Sequence, residues 1–235
     1  SFILLRETFL KPSNKFKFNG YNIIRADHPS RNGNGVATLI KKGISFHKER
    51  LCDDPAILST IVKMKNGDLL DIVNVYISPT DNRNETRKVV EKIMARPNIF
   101  LAGDLNAHSS LFGAKTTNRR GRLIEDLIAT NNLVTLNDGS DTHSTPGKSA
   151  TPIDITITTP KMAIKSFWTV LEDTMESDHH PIMIAIDDRL EEHSRTSRVI
   201  NTNKTNWQQY NTRFDEILGG PHGNDEDVEV FARRI

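Results

Sequence analysis

The sequence predicts an α/β protein in which mixed β-sheets are covered by helices. Three observations carry this. Short apolar runs bounded by Gly, Asn, Asp and Pro recur through the first 188 of the 235 residues. Two segments, 85–95 and 122–132, instead repeat apolar residues at helical spacing and lie between such runs. Several strand-like runs are close neighbours, as in hairpins, which departs from strict strand–helix alternation.

The elements follow in order. "FILLRE" reads as a buried strand at the very start, and "GVATLI" (35–40) as another after a Gly/Asn-rich turn. "STIVKMKNGDLLDIVNVYI" (59–77) holds two runs joined at Asn66-Gly67, a strong hairpin signal because both residues tolerate positive φ. In its second run Ile72, Asn74 and Tyr76 share one face, and Val73, Val75 and Ile77 the other. "ETRKVVEKIMA" (85–95) places Val89, Val90, Ile93 and Met94 on a helical stripe that ends before Pro97. "NIFLAGD" (98–104) is a strand, and "RLIEDLIATNN" (122–132) an amphipathic helix on Leu123, Ile124, Leu127 and Ile128. Strands "LVTLN" (133–137), "IDITIT" (153–158), "FWTVL" (167–171) and "HPIMIAI" (180–186) complete the domain, assigned to residues 1–188. Beyond it, 189–206 reads as a polar linker, 207–218 as a short helix and 219–227 as loop, so 189–235 is a connector.

Composition narrows the function. Formal net charge is +1, so no global basic field draws the chain to nucleic acid, and such binding needs a local patch. Cys52 is the single cysteine, which excludes an internal disulfide and a cysteine-cluster zinc site. No apolar run reaches the roughly 18 residues of a membrane helix, and "SFILLRETFL" lacks the basic start of a signal peptide. No membrane partner is expected.

Polar groups stand at the ends of separate apolar strands: Glu7, Tyr76, Asp104 with Asn106, Asp154, and Asp178 with His179. Singly, most have a bland explanation. Asp and Asn after a strand are ordinary turn formers, Glu7 reads as a solvated edge charge, and Tyr76 as a packing residue. Asp154 is harder to dismiss, since a carboxylate between isoleucines needs a partner. His47, His108 and His143 read as surface or packing residues. Taken in order, strand ends on one rim converge, and hard oxygen donors without cysteine suit Mg²⁺ or Mn²⁺. Asp104 and Asn106, two apart on an extended chain, would point the same way. Asp154 could orient the ring of His179. Lys115, Arg119, Arg120 and Arg122 form the one dense basic cluster nearby, a solvated loop and helix start or a grip on a DNA backbone.

The ordered set "LLRET", "NVY", "GDLN", "IDIT", "SDHHP" resembles the exonuclease–endonuclease–phosphatase superfamily, the DNase I-like and apurinic-endonuclease-like enzymes. It is most similar to the endonuclease domain of non-LTR retrotransposons of the jockey or R1/TRAS type, with support from 17–44, 104–128 and 131–143. The resemblance implies a four-layer α/β sandwich of two mixed sheets flanked by helices. It implies Mg²⁺-dependent nicking of double-stranded DNA in the nucleus, exposing a 3′-hydroxyl that primes a reverse transcriptase domain of the same polyprotein. By position, Glu7 would hold the metal, with Asp178 beside it. Asp104 would deprotonate the attacking water, Asn106 and Tyr76 would meet the phosphate, and His179 paired with Asp154 would stabilise the transition state. Members of the superfamily usually begin with a strand carrying an asparagine and a helix, both absent from this sequence. Two alternatives follow: a silent remnant that at most binds DNA, or a phosphoesterase acting on a small substrate.

Overall fold

The computed structural model describes residues 1–27, 35–49, 51, 56–81, 83–147 and 149–187. Cys52 and the connector expected at 189–235, with its linker, helix and loop, lie outside the described residues.

One antiparallel sheet has the order β1 (Phe2–Arg6), β3 (Gly35–Lys41), β2 (Tyr21–Asp27). A larger sheet runs β4 (Phe46–Glu49), β5 (Ile57–Lys63), β6 (Leu69–Tyr76), β7 (Ile99–Asp104), β9 (Asp154–Thr158), β8 (Val134–Thr135). All its neighbours are antiparallel except β6 and β7. The crossover between that parallel pair holds helix α1 (Arg83–Met94), as parallel pairing requires. Helix α2 (Arg119–Thr130) follows β7, the short α3 (Pro160–Ala163) follows β9, and β10 (Ser166–Val170) with β11 (Ile182–Ile186) forms a separate ribbon.

The two faces of β6 read from the sequence sort as expected. Val73, Val75 and Ile77 join Ile99, Leu101, Ile155 and Ile157 under Val90, Ile93 and Met94 of α1 and Ile124, Leu127 and Ile128 of α2. On the other face Ile72 and Phe100 meet Phe2 and Leu4 of β1 and Ile184 and Ile186 of β11. Tyr76 meets Val36 and Ile24 of the three-stranded sheet. Asn74, fully buried between them, donates from Nδ2 to Leu5 O at 3.1 Å and Ala37 O at 3.0 Å, which ties the two sheets together. Helices, large sheet and small sheet are therefore three of the four expected layers, present among the described residues. The mixed character belongs to the six-stranded sheet, while the three-stranded one is antiparallel.

Local differences from the expectation have local causes. The β5–β6 hairpin closes through Met64–Asp68 (Met64 N to Asp68 O, 2.8 Å) with positive φ at Gly67 but not at Asn66, so it is wider than a two-residue turn. Helix α2 starts at Arg119 because the Asn118 side chain caps it, accepting from Gly121 N at 2.7 Å, a contact worth about 1 kcal/mol. Strand β8 is short because the Asn137 side chain takes over pairing with β9, donating to Asp154 O and accepting from Thr156 N, both at 2.9 Å. Strands β2 and β4, "YNIIRAD" and "FHKE", carry too little alternation to be read from sequence. Strand β1, expected to be buried, is half-buried throughout.

Candidate active site

The site begins with register. At the carboxyl end of the parallel pair Tyr76 lies opposite Asp104, and Asp104 lies opposite Asp154 on β9. Residues opposite each other share a face, so the three side chains make one row across β6, β7 and β9, facing the second sheet. Gly103 permits the approach: a Cβ there would stand 2.1 Å from Val75 O. Gly121 does the same for α2, where a Cβ would meet His108 O at 1.8 Å.

Asp104 is 4% exposed. Asn106 N donates to its Oδ1 at 2.9 Å and Asn106 Nδ2 to its Oδ2 at 3.1 Å, with a further bond from Nδ2 to Ile77 O at 3.1 Å. Asn106 makes these bonds from a left-handed backbone, φ 47°, which Asn tolerates better than most residues. Burial, then the charge of Asp154, pushes the Asp104 carboxyl up to about 7, against the opposing pull of Asn106 N–H, His179 and Arg6. Asp154 goes the other way. Burial would raise its pKa, but the His179 hydrogen bond and Arg6 outweigh that and hold it below its usual range. His179 Nδ1 lies 2.7 Å from Asp154 Oδ2, and Arg6 Nη2 3.6 Å from Oδ1. Burial alone would lower His179, but its bond to Asp154, with Asp104 and Asp178 nearby, raises it above the ordinary histidine value. Thr142 Oγ1 accepts from Asp154 N at 3.0 Å and Ile153 N at 3.2 Å, fixing where β9 begins.

Tyr76 is buried, and its hydroxyl is hydrogen-bonded to Glu7. Burial, then Glu7, Asp104 and Asp81, keeps the phenol protonated. Glu7 is exposed at the end of β1 with φ 48°, a conformation costing a non-glycine residue about 1–2 kcal/mol. Strain of that kind at a strand end beside buried acids makes Glu7 a candidate functional position.

The structure thus brings Glu7, Tyr76, Asp104, Asn106, Asp154 and His179 to one rim. Asp178 lies beside His179, with Oδ2 3.5 Å from His143 Nε2. His143, which sequence alone assigned to surface or packing, packs against His179 with ring centroids 4.7 Å apart and the rings tilted by 57°. Among the described residues, His143, Asp178 and His179 are grouped with ligand atoms all within 4.8 Å of one another, and Glu7 is outside that group. Of the basic cluster, Lys115, Arg119 and Arg122 are exposed. Arg120, expected with them, turns inward instead. Its guanidinium donates to Leu105 O at 3.0 Å and Ser78 O at 3.1 Å, bracing the loop that carries Asn106. Burial lowers its pKa, offset in part by Asp81 and Asp104. Arg6 was also missed. The signal available was a lone arginine inside an apolar strand, directly before Glu7. Its Nη1 is buried with no hydrogen-bond partner.

A two-sheet sandwich with acids, an amide and an Asp-paired histidine on one rim defines the DNase I-like α/β class. Comparison with known proteins agrees. Residues 70–183 match the exonuclease–endonuclease–phosphatase family model described as endonuclease-reverse transcriptase. The chain is 26% identical to a probable RNA-directed DNA polymerase from transposon X-element of Drosophila melanogaster, over 92% of this chain and 24% of the relative, so it spans about a quarter of that protein's length. Among solved structures, the endonuclease domain of TRAS1, a telomere-specific non-LTR retrotransposon, matches with TM-score 0.64 at 20% identity, covering 72% of this chain and 81% of that one. The catalytic domain of Xenopus laevis APE2 matches with TM-score 0.62 at 15% identity, covering 79% and 82%. At those identities the two structures establish the shared fold.

Proposed function

We propose that this domain is a divalent-metal-dependent endonuclease that hydrolyses one phosphodiester bond of double-stranded DNA. The observation that carries the reading is the row Tyr76–Asp104–Asp154 with His179 on Asp154, because it separates an acid from a base. Asp104, pushed up to about 7, is a carboxylate whose basicity suits accepting a proton at neutral pH. Asp154 keeps its charge and holds His179 oriented and cationic.

In the proposed reaction Asp104 takes a proton from the attacking water and the water oxygen bonds to phosphorus. The P–O3′ bond breaks, and the departing 3′-oxygen takes up a proton from solvent as it leaves. His179 donates to the phosphate oxygens as negative charge builds on them. Tyr76, held protonated, offers its hydroxyl to the same phosphate. Asn106 orients Asp104 and has its amide at the phosphate's edge. The carboxylates at this rim outnumber the cations that face them, and their donors are hard oxygens, so the residues present fit Mg²⁺ or Mn²⁺. Glu7 would hold the ion, which when bound would neutralise phosphate charge.

The exposed Lys115, Arg119 and Arg122 would meet the DNA backbone. The nick would leave a 3′-hydroxyl suited to priming a reverse transcriptase carried elsewhere on the same polyprotein, with 189–235 as the connector. Such chemistry belongs in the nucleus. The test is relaxation of supercoiled plasmid. Nicked circle should form with Mg²⁺, vanish with chelator and fall to background in Asp104→Ala. No nicked circle above the Asp104→Ala background would favour a silent remnant, and hydrolysis of a small phosphoester without nicking would favour the phosphoesterase alternative.

A further inference from the structure

Next to the proposed nuclease residues stands a donor set that shares His179 with the cleavage proposed above and adds His143 and Asp178 to it. His143 and His179 pair as a β-bridge, and Ser144 N donates to Asp178 O at 2.8 Å. His180 N donates to Thr142 O at 2.7 Å, and His143 is also bridged to Thr151 on its other side. Three chain segments are therefore laced by backbone bonds around His143, Asp178 and His179. Both imidazoles have a partner at Nδ1: Thr151 Oγ1 at 3.4 Å for His143, and Asp154 Oδ2 at 2.7 Å for His179. That arrangement orients each ring and makes Nε2 the nitrogen offered to a metal, as second partners do for metal-bound histidines, and His143 Nε2 has a long contact to Thr145 Oγ1, 3.4 Å, to give up for it. Asp178 adds an exposed carboxylate close to His143 Nε2. One nitrogen of each ring and one Asp178 oxygen all lie within 4.8 Å of one another.

We propose that His143, Asp178 and His179 form a site for a divalent transition metal of the Zn²⁺ type, distinct in chemistry from the Mg²⁺ expected at Glu7. Two imidazole nitrogens and one carboxylate oxygen, with a fourth position open to water, is a zinc-like donor set and a poor one for Mg²⁺. Because His179 is shared, occupancy withdraws its Nε2 from the phosphate. Zinc would then inhibit Mg²⁺-supported nicking, a consequence that rests on the function proposed above. The binding itself does not.

The test uses the 235-residue chain in excess Mg²⁺. Calorimetric titration with Zn²⁺ alone should show one saturable equivalent. Co²⁺ should give the visible absorption of a four-coordinate ion, lost on adding Zn²⁺. His143→Gln should weaken Zn²⁺ binding at least about 10-fold. His180→Gln, whose ring instead faces Leu171 O at 3.1 Å, should leave it unchanged. Should His143→Gln fail to fold by circular dichroism, Asp178→Asn serves, since that side chain is 62% exposed, and the same weakening is expected. Absence of saturable Zn²⁺ binding, or binding equally tight in the folded variants, overturns the site. A chain that binds Zn²⁺ through His143 but never nicks plasmid would retain the site and sink only the nuclease reading.

Discussion

The parallel strands β6 and β7 begin and end beside buried aspartates, and the two ends are solved differently. At the start of β6, Asp71 is 5% exposed. It accepts from Ser59 Oγ at 2.6 Å and from Arg96 Nε, and Arg96 also forms a salt bridge with Glu49. Burial would lower the Arg96 pKa, but Glu49 and Asp71 together raise it, while the Arg96 bond lowers Glu49. At the end of β7, Asp104 is equally buried but is held by neutral donors from Asn106, faces a second carboxylate and is pushed up to about 7. Residue type, strand pair and burial are alike. What differs is a cation in direct contact. An acid buried beside another acid does little for stability, and its place fits the chemistry proposed for it above.

The largest expected effect sharpens that contrast. Asp104→Asn should lower nicking by roughly 10²–10⁴-fold, yet raise thermal stability at pH 8 in metal-free buffer. A carboxyl raised on folding destabilises once pH exceeds its ordinary range, here by at most about 4 kcal/mol. A fall in melting temperature would contradict the assignment. At the other end, Arg96→Ala strands Asp71 and should cost about 3 kcal/mol in denaturant melts while the folded fraction nicks at the normal rate. Activity lost beyond the unfolded fraction would break the division.

Between these lies the pH response of the Asp154–His179 pair. His179, raised on folding, contributes stability that is complete below about 6.5 and lost as pH rises through its folded value. Asp154, lowered on folding, contributes above about 3.9 and loses this as pH falls. The pair should be strongest from about pH 4 to 6.5, so His179→Ala should lower the melting temperature more at pH 5.5 than at pH 9. An equal loss at both would show that the pair is not ionic. The smallest effect concerns the basic cluster. Lys115, Arg119 and Arg122 changed together to Ala should reduce the salt slope of DNA binding by up to about 3. Arg120→Ala should leave that slope unaltered, because its guanidinium is spent on Leu105 O and Ser78 O.

Sequence by itself determined the elements whose causes are local. Apolar runs located most strands, the Val89–Met94 and Leu123–Ile128 stripes located both long helices, and alternation on β6 assigned each side chain to its face. Five short motifs in order pointed to the fold and to the rim. The tertiary structure decided everything that depends on counter-charge and register. It set Tyr76, Asp104 and Asp154 in one row, placed Arg6 on Asp154, turned Arg120 away from solvent and brought His143 onto His179. Periodicity encodes which way a side chain faces along its own element. Which charge it meets depends on chain segments tens of residues apart, and in a buried site that partner sets the protonation state.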